Sequence, residues 1–202
     1  IYTLSLHDAL PIWSARAILD GDQVTGVTIM QMAEALDAGD ILARAGAEVD
    51  HKTAGQLHNE LAELGAALLT DTIPRIANGT IRPVPQDDAM ATYAPMIFRQ
   101  DGQIDFSDSP EVIERQIRGM NPWPGAFTSY RENIMKIWAA RVGTQQSSRP
   151  AGSILNASDD GIVIACGGGS LVAEVIQMPG KRKMSAAEWL RGHKIDKSLV
   201  LG

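Results

Sequence analysis

The chain has 202 residues, 45% of them hydrophobic and 21% charged, which suits a globular protein of one large or two small domains. Aromatic residues reach only 5%, so any core must rest on Ala, Ile, Leu, Val and Met. One cysteine, Cys166, excludes a disulfide within the chain and a cysteine-built zinc cage, and no apolar run is long enough to span a bilayer. Cys166 sits between Ala165 and Gly167 and reads as a small apolar residue ending a strand; a reducing cytoplasm is the expected location. The net charge of -6 argues against a nucleic-acid partner, but the total hides an asymmetry. Residues 1–100 hold 6 Lys/Arg against 13 Asp/Glu, whereas from Arg115 onward 12 basic residues face 6 acidic ones. Such a split points to different partners for the two halves.

Residues 1–12 stand apart. They match, at every position, the translation of a widely used sequencing adapter, so residues 1–13 are set aside as an expected assembly artefact and the His7-Asp8 pair is given no catalytic weight. Residues 15–19 read as the end of a helix stopped by Asp20-Gly21-Asp22. Residues 25–32 are β-branched and apolar and predict a buried strand; residues 41–49 predict its antiparallel hairpin partner. Thr53 is the expected N-cap of a long helix reaching Ala77, with Leu57, Leu61, Leu64, Leu68 and Leu69 on its buried face and Asn78-Gly79 at its end. Residues 80–100, with prolines at 83, 85 and 95, predict a surface linker. A second domain is expected over 101–202: Ser109 capping a helix over 110–120, then strands over 126–130, 134–142, 152–155, 161–166 and 170–177, and a last helix over 186–192 capped by Ser185. Five short strands with small helices predict a β-barrel of the oligonucleotide-binding (OB) type.

Three stretches carry candidate chemistry. Glu34, Asp37 and Asp40 place three carboxylates in a seven-residue loop with Gly39. A loop carboxylate on a rigid sheet can act as a general base if partial burial raises its pKa, while spacing alone equally describes a solvated hairpin turn, the simpler reading. Asn121-Pro122-Trp123-Pro124-Gly125-Ala126-Phe127 is a stiff loop whose ring either stacks on a base or plugs the bottom of the barrel. The helix before it and the strand after it favour the plug. Gly180-Lys181-Arg182-Lys183 is a basic tip, suited to phosphate contacts or simply solvated. His51, His58 and His193 are too scattered to propose a metal site.

In order and spacing these stretches resemble the methionyl-tRNA formyltransferase family over residues 15–201. The resemblance is carried by Thr25 through Met32 with Leu36-Asp37-Ala38-Gly39-Asp40, by Leu61-Ala62-Glu63-Leu64-Gly65, by Asn121 through Phe127, and by Lys181-Arg182-Lys183-Met184-Ser185-Ala186. It implies an α/β plus β fold, the C-terminal remnant of a Rossmann-like formyltransferase domain (14–79) followed by an OB-like barrel. It implies formyl transfer from 10-formyltetrahydrofolate to the amino group of methionyl initiator tRNA, with no metal. The folate formyltransferases use an Asn, a His and an Asp; the Asp maps onto Asp37, which would orient and charge the His and help take a proton from the attacking amine. Asn and His would stabilise the oxyanion, a role worth a few kcal/mol. Substrate contacts are expected at Leu36, Lys181, Arg182 and Lys183.

The family's Asn-x-His segment is not found in this sequence, so the chain is expected to be a piece of the parent enzyme and inactive by itself. Met96 stands where the family shows a lysine after Tyr-Ala-x, which puts one tRNA contact in doubt. Phe106 replaces a usual tryptophan as a packing change. Two other readings stay open: a non-catalytic tRNA-binding module, and a fragment of a sugar-nucleotide formyltransferase. The expected protein is a monomer with no membrane partner.

Overall fold

The computed structural model describes residues 12–35 and 37–202. They form two compact units, one reaching Met96 and the other running from Ile97 to Gly202.

In the first unit, helix α1 (Ile12–Asp20) buries Ser14, Ala15, Ala17 and Ile18 and ends where Gly21 turns at φ 80°. Strands β1 (Val24–Met30) and β2 (Ile41–Glu48) form the expected antiparallel hairpin, in one register from Val24 opposite Glu48 to Ile29 opposite Ala43, with a one-residue shift that sets Met30 opposite Ile41. Gly26 faces Gly46 across it. A side chain at Gly26 would meet the Ala45 carbonyl at 2.4 Å, so glycine is what lets the strands meet there. Helix α2 (Ala54–Ala77) packs on both strands. Its start is the expected cap: Thr53 Oγ1 accepts from the Gln56 amide at 3.3 Å, and Gln56 Oε1 accepts from the Thr53 amide at 2.9 Å. Asn78 and Gly79 end it, Gly79 at φ 66°.

Two expectations about burial are corrected. No residue of β1 is fully buried, and Val24 and Met32 are 60% and 70% exposed. The cause is that β1 has β2 as its sheet neighbour and α2 against one face, so alternate side chains point outward. On α2, Leu57 and Leu61 are buried, Leu64 and Leu68 half-buried and Leu69 exposed; Thr72, on the face of Leu57, Leu61 and Leu68, is buried, whereas Leu69 stands about 100° round the helix from Leu68 and off that face. The proline-rich stretch after α2 is anchored to the hairpin. Val84 and Ile41 exchange both backbone hydrogen bonds, at 2.8 and 2.9 Å, and Arg16 donates to the Pro95 carbonyl at 3.1 Å.

In the second unit, α3 (Pro110–Gly119) starts at Ser109, whose hydroxyl accepts from the Val112 amide at 3.4 Å. Strands β3 (Ala126–Tyr130), β4 (Asn133–Gly143), β5 (Ile154–Ser158), β6 (Gly161–Cys166), β7 (Gly169–Gln177) and β8 (Met184–Ser185) form one antiparallel sheet. Its order is β3-β4-β7-β6-β5, with β8 on β7; α4 (Ala186–Gly192) follows. Ile113, Ile117, Met135, Ile137, Ile154, Ile162, Ile164, Leu171 and Ile176 make the core.

Among the described residues the sheet does not close into a barrel: no pairing joins β3 to β5. The free side of β3 is taken by the segment before α3, where Gln103 bridges Phe127 and the Ile104 amide donates to the Phe127 carbonyl at 2.8 Å. Just before β5, Gly152 and Ser153 are taken by the chain's last residues: Ser153 bridges Val200, and the Leu201 amide donates to Gly152 at 2.9 Å.

Cys166 ends β6, buried and free, with its thiol 3.6 Å from the Ile164 carbonyl. Burial pushes the thiol from 9.0 up to about 11. A raised acid pKa contributes stability that is full below the unfolded value and is lost as pH climbs through the folded one. Denaturation midpoints measured across pH 9 to 11 should therefore fall more steeply for the wild type than for Cys166→Ala; parallel curves would contradict this.

Candidate functional site

Two constellations stand out, one in each unit. The first is the acidic loop between β1 and β2. Asp37 lies in the left-handed region at φ 56°, a conformation Asp tolerates better than most residues, and its side chain is exposed. The partial burial that would favour a general base is thus not found in this chain. Leu36, expected as a substrate contact, lies outside the described residues. The loop is closed from within: the Gln31 amide donates to the Asp40 carbonyl at 2.9 Å, and a Cβ at Gly39 would stand 1.6 Å from the Gln31 carbonyl oxygen. Gln86, from the proline-rich stretch, donates through Nε2 to the Asp37 and Gly39 carbonyls, each at 2.7 Å, with Met30 Sδ at 3.7 Å. Sequence reasoning passed over Gln86, because nothing in a structureless, proline-rich segment signals that it returns to the loop.

The second constellation brings together two motifs that are more than fifty residues apart. The Trp123 ring is 44% exposed, so it does not plug the interior; Pro124 and Gly125 are the buried members of that loop. Gly125, at φ 80°, lies against Trp138 of β4: an added Cβ would meet Trp138 at 3.0 Å and Lys136 Nζ at 3.2 Å. Trp138 is the centre of the group. Its Nε1 donates to Gln177 Oε1 at 2.9 Å, and Gln177 Nε2 donates to the Lys181 carbonyl at 2.8 Å, which ties the basic tip to the sheet. Lys183 Nζ stands 3.2 Å from the Trp138 ring centroid and Lys136 Nζ 5.4 Å from it, both within reach of the ring's negative face. Lys136 also donates to the Pro124 carbonyl at 2.9 Å. Burial first, and then the Lys136 charge, hold the Lys183 ammonium below the usual lysine range. Arg182 is turned the other way and pairs with Glu188 at the start of α4.

The structure therefore separates the three tip residues. All three are exposed, but Lys183 lies over an aromatic ring near a second lysine, Arg182 is partnered by a carboxylate, and Lys181 is held by Gln177 through its backbone carbonyl. Lys136 and Trp138 were not foreseen, since inside a strand they look like ordinary members of an alternating pattern. Among the described residues no group of three or more His, Cys, Asp or Glu side chains is placed to hold a metal ion, and no helix is long and apolar enough to cross a membrane.

The family model "Formyl transferase" matches residues 10–73, and "Formyl transferase, C-terminal domain" matches residues 96–194. The chain belongs to the formyl transferase family. Among similar formyl transferases, one named methionyl-tRNA formyltransferase from Bacillus licheniformis is 42% identical over 92% of this chain and 60% of its own length. Another of that name, from Acetivibrio thermocellus, is 40% identical with the same coverage. The chain thus spans about three-fifths of the curated relatives it matches. Among solved structures, HypX from Aquifex aeolicus in complex with tetrahydrofolic acid superposes with a TM-score of 0.66 at 20% identity, covering 89% of this chain and 32% of that one, a likeness of fold.

The contact at Gly39 gives a direct test of the loop's construction. Gly39→Ala forces the backbone at Gln31 or Gly39 to move, and should destabilise the first unit by about 1–3 kcal/mol, read as a lower urea midpoint. A midpoint equal to wild type would mean the loop accommodates a side chain freely.

Proposed function

We propose that the whole protein transfers a formyl group from 10-formyltetrahydrofolate to the amino group of methionyl initiator tRNA. The observation that carries this reading is identity of about 40%, spread over 92% of the chain, to proteins named methionyl-tRNA formyltransferase. In this reading the first unit is the end of a Rossmann-like catalytic domain (14–79), residues 80–100 are its linker, and 101–202 form an OB-like domain facing tRNA. Asp37 is the acid–base residue that helps remove a proton from the attacking amine; Leu36 borders the substrate. Lys181, Arg182 and Lys183 meet phosphates, joined by Lys136, with exposed Trp123 available to stack on an unpaired base. A monomeric, cytoplasmic protein acting on a soluble folate and tRNA fits the same reading.

Transfer is tested with the product of the complete gene, formyl-folate and charged initiator tRNA. Asp37→Asn should lower kcat by roughly 10²–10⁴-fold, the usual range for losing a positioned acid–base group. Wild-type turnover in that variant, or transfer to an amino-sugar nucleotide in place of tRNA, would overturn the assignment.

Binding is tested on the 202-residue chain by filter retention of tRNA across a salt series. Alanine at Lys181, Lys183 and Lys136 together should weaken retention and flatten the log–log salt slope by roughly 2, since each phosphate contact contributes about 0.7–0.9. An unchanged slope would place the tRNA elsewhere.

A further inference from the structure

We infer that Gln86 is a positioning residue for the reaction centre: its side-chain amide clamps the Asp37 loop in the shape that presents the carboxylate. The inference rests on the proposed role of Asp37 for its catalytic consequence, while the clamp itself is a matter of geometry.

A primary amide carries two N–H donors, and Gln86 places its nitrogen 2.7 Å from two carbonyl oxygens, those of Asp37 and Gly39. The Asp37–Ala38 and Gly39–Asp40 peptide groups, which bracket Ala38 and Gly39, are thereby held toward a common point. With both carbonyls fixed, the backbone on either side of Ala38 loses most of its freedom. Asp37 sits at φ 56°, which costs a residue with a side chain on the order of 1 kcal/mol, and such a conformation persists only where its surroundings impose it. The Gln31 amide closes the loop onto the Asp40 carbonyl, outside the turn, and the Gln86 amide reaches its middle.

The position of Gln86 is in turn set by the chain. Val84, between Pro83 and Pro85, is locked to Ile41 by two backbone hydrogen bonds, and Ile41 is the first residue after the loop. Two residues beyond that anchor, Gln86 arrives beside Met30, the last residue before the loop, whose sulfur is 3.7 Å away. The clamp is thus fastened at both ends of the turn it spans. Carboxylate or thioether side chains of similar length cannot substitute: glutamate offers no donor at neutral pH and would set a negative charge against two carbonyl oxygens, and methionine offers none at all.

The test uses Gln86→Met and Gln86→Glu, with two readouts. In the 202-residue chain, ¹⁵N relaxation is measured for the amides of Asp37, Ala38 and Gly39 and for those of α2, beside the thermal midpoint. The expected result is loop order parameters falling from near 0.85 to below about 0.6 in both variants, with α2 and the midpoint unmoved. Loop amides as ordered as in the wild type would overturn the clamp, and so would a loss of order spread evenly through α2, which marks a merely structural role. In the complete enzyme, both variants should lose at least tenfold in kcat with KM for tRNA unchanged, and Gln86→Asn, a shorter donor, should recover part of that loss. Unchanged kcat beside a loosened loop would overturn the positioning role. If the wild-type enzyme transfers no formyl group, the functional reading fails and the relaxation data alone decide the clamp.

Discussion

Unpaired backbone amides and carbonyls along a strand edge are the constraint that shapes both units. A row of them left dry is costly, and left wet it is an invitation to pair with another chain. In the first unit Val84 takes up the edge position at Ile41. In the second, Gln103 and Ile104 occupy the outer side of β3, and Val200 and Leu201 hold the residues leading into β5. None of these segments is a strand of any length. Each makes one or two bonds and then leaves, which is enough to end a sheet. In the second sheet the segment before α3 thus lies along β3, the chain's last residues lie along the residues before β5, and no pairing joins β3 to β5 among the described residues.

The same edge pairing explains why some features were readable in the sequence and others were not. Local rules did well. Thr53 and Gln56 announce a capping box, Ser109 and Ser185 announce helix starts, Asn78-Gly79 announces a stop, and the β1–β2 hairpin follows from two apolar runs around a glycine-bearing loop. These signals sit within a few residues of what they determine. What failed was whatever depends on distant neighbours. The hydrophobicity of β1 says that it prefers to be covered, but not how much of it is, and Leu69 belongs to the same leucine run as Leu57 without sharing its surroundings. Five short strands suggest an OB-type barrel, but strand count says nothing about which segments reach the edges of the sheet.

The candidate site shows the same division. Asp37 and the Lys181–Lys183 run were picked out by residue type and by resemblance, which reports what relatives contain. Gln86, Lys136 and Trp138 were missed because their importance lies in what they touch. Gln86 is one glutamine in a proline-rich stretch, and its partners are 47 and 49 residues away. Trp138 and Gln177 are 39 residues apart and meet only because β4 and β7 are neighbours in the sheet. The basic tip also looked uniform as a string of letters. Its pairing with Glu188 leaves the three cations with three different surroundings.

The position of Trp138 has an optical consequence. An indole with an ammonium 3.2 Å from its centroid and a second at 5.4 Å emits in a strong electric field. Any polyanion that draws either lysine away from the ring changes that field, and the colour and yield of the emission with it. The ring also faces Gly125, so a shift of the proline loop reaches it through direct contact. Tryptophan is scarce in this chain, with 4 residues in 202, and this one stands where charge and loop geometry converge. The surface proposed to receive a nucleic acid therefore carries its own reporter, with no label attached.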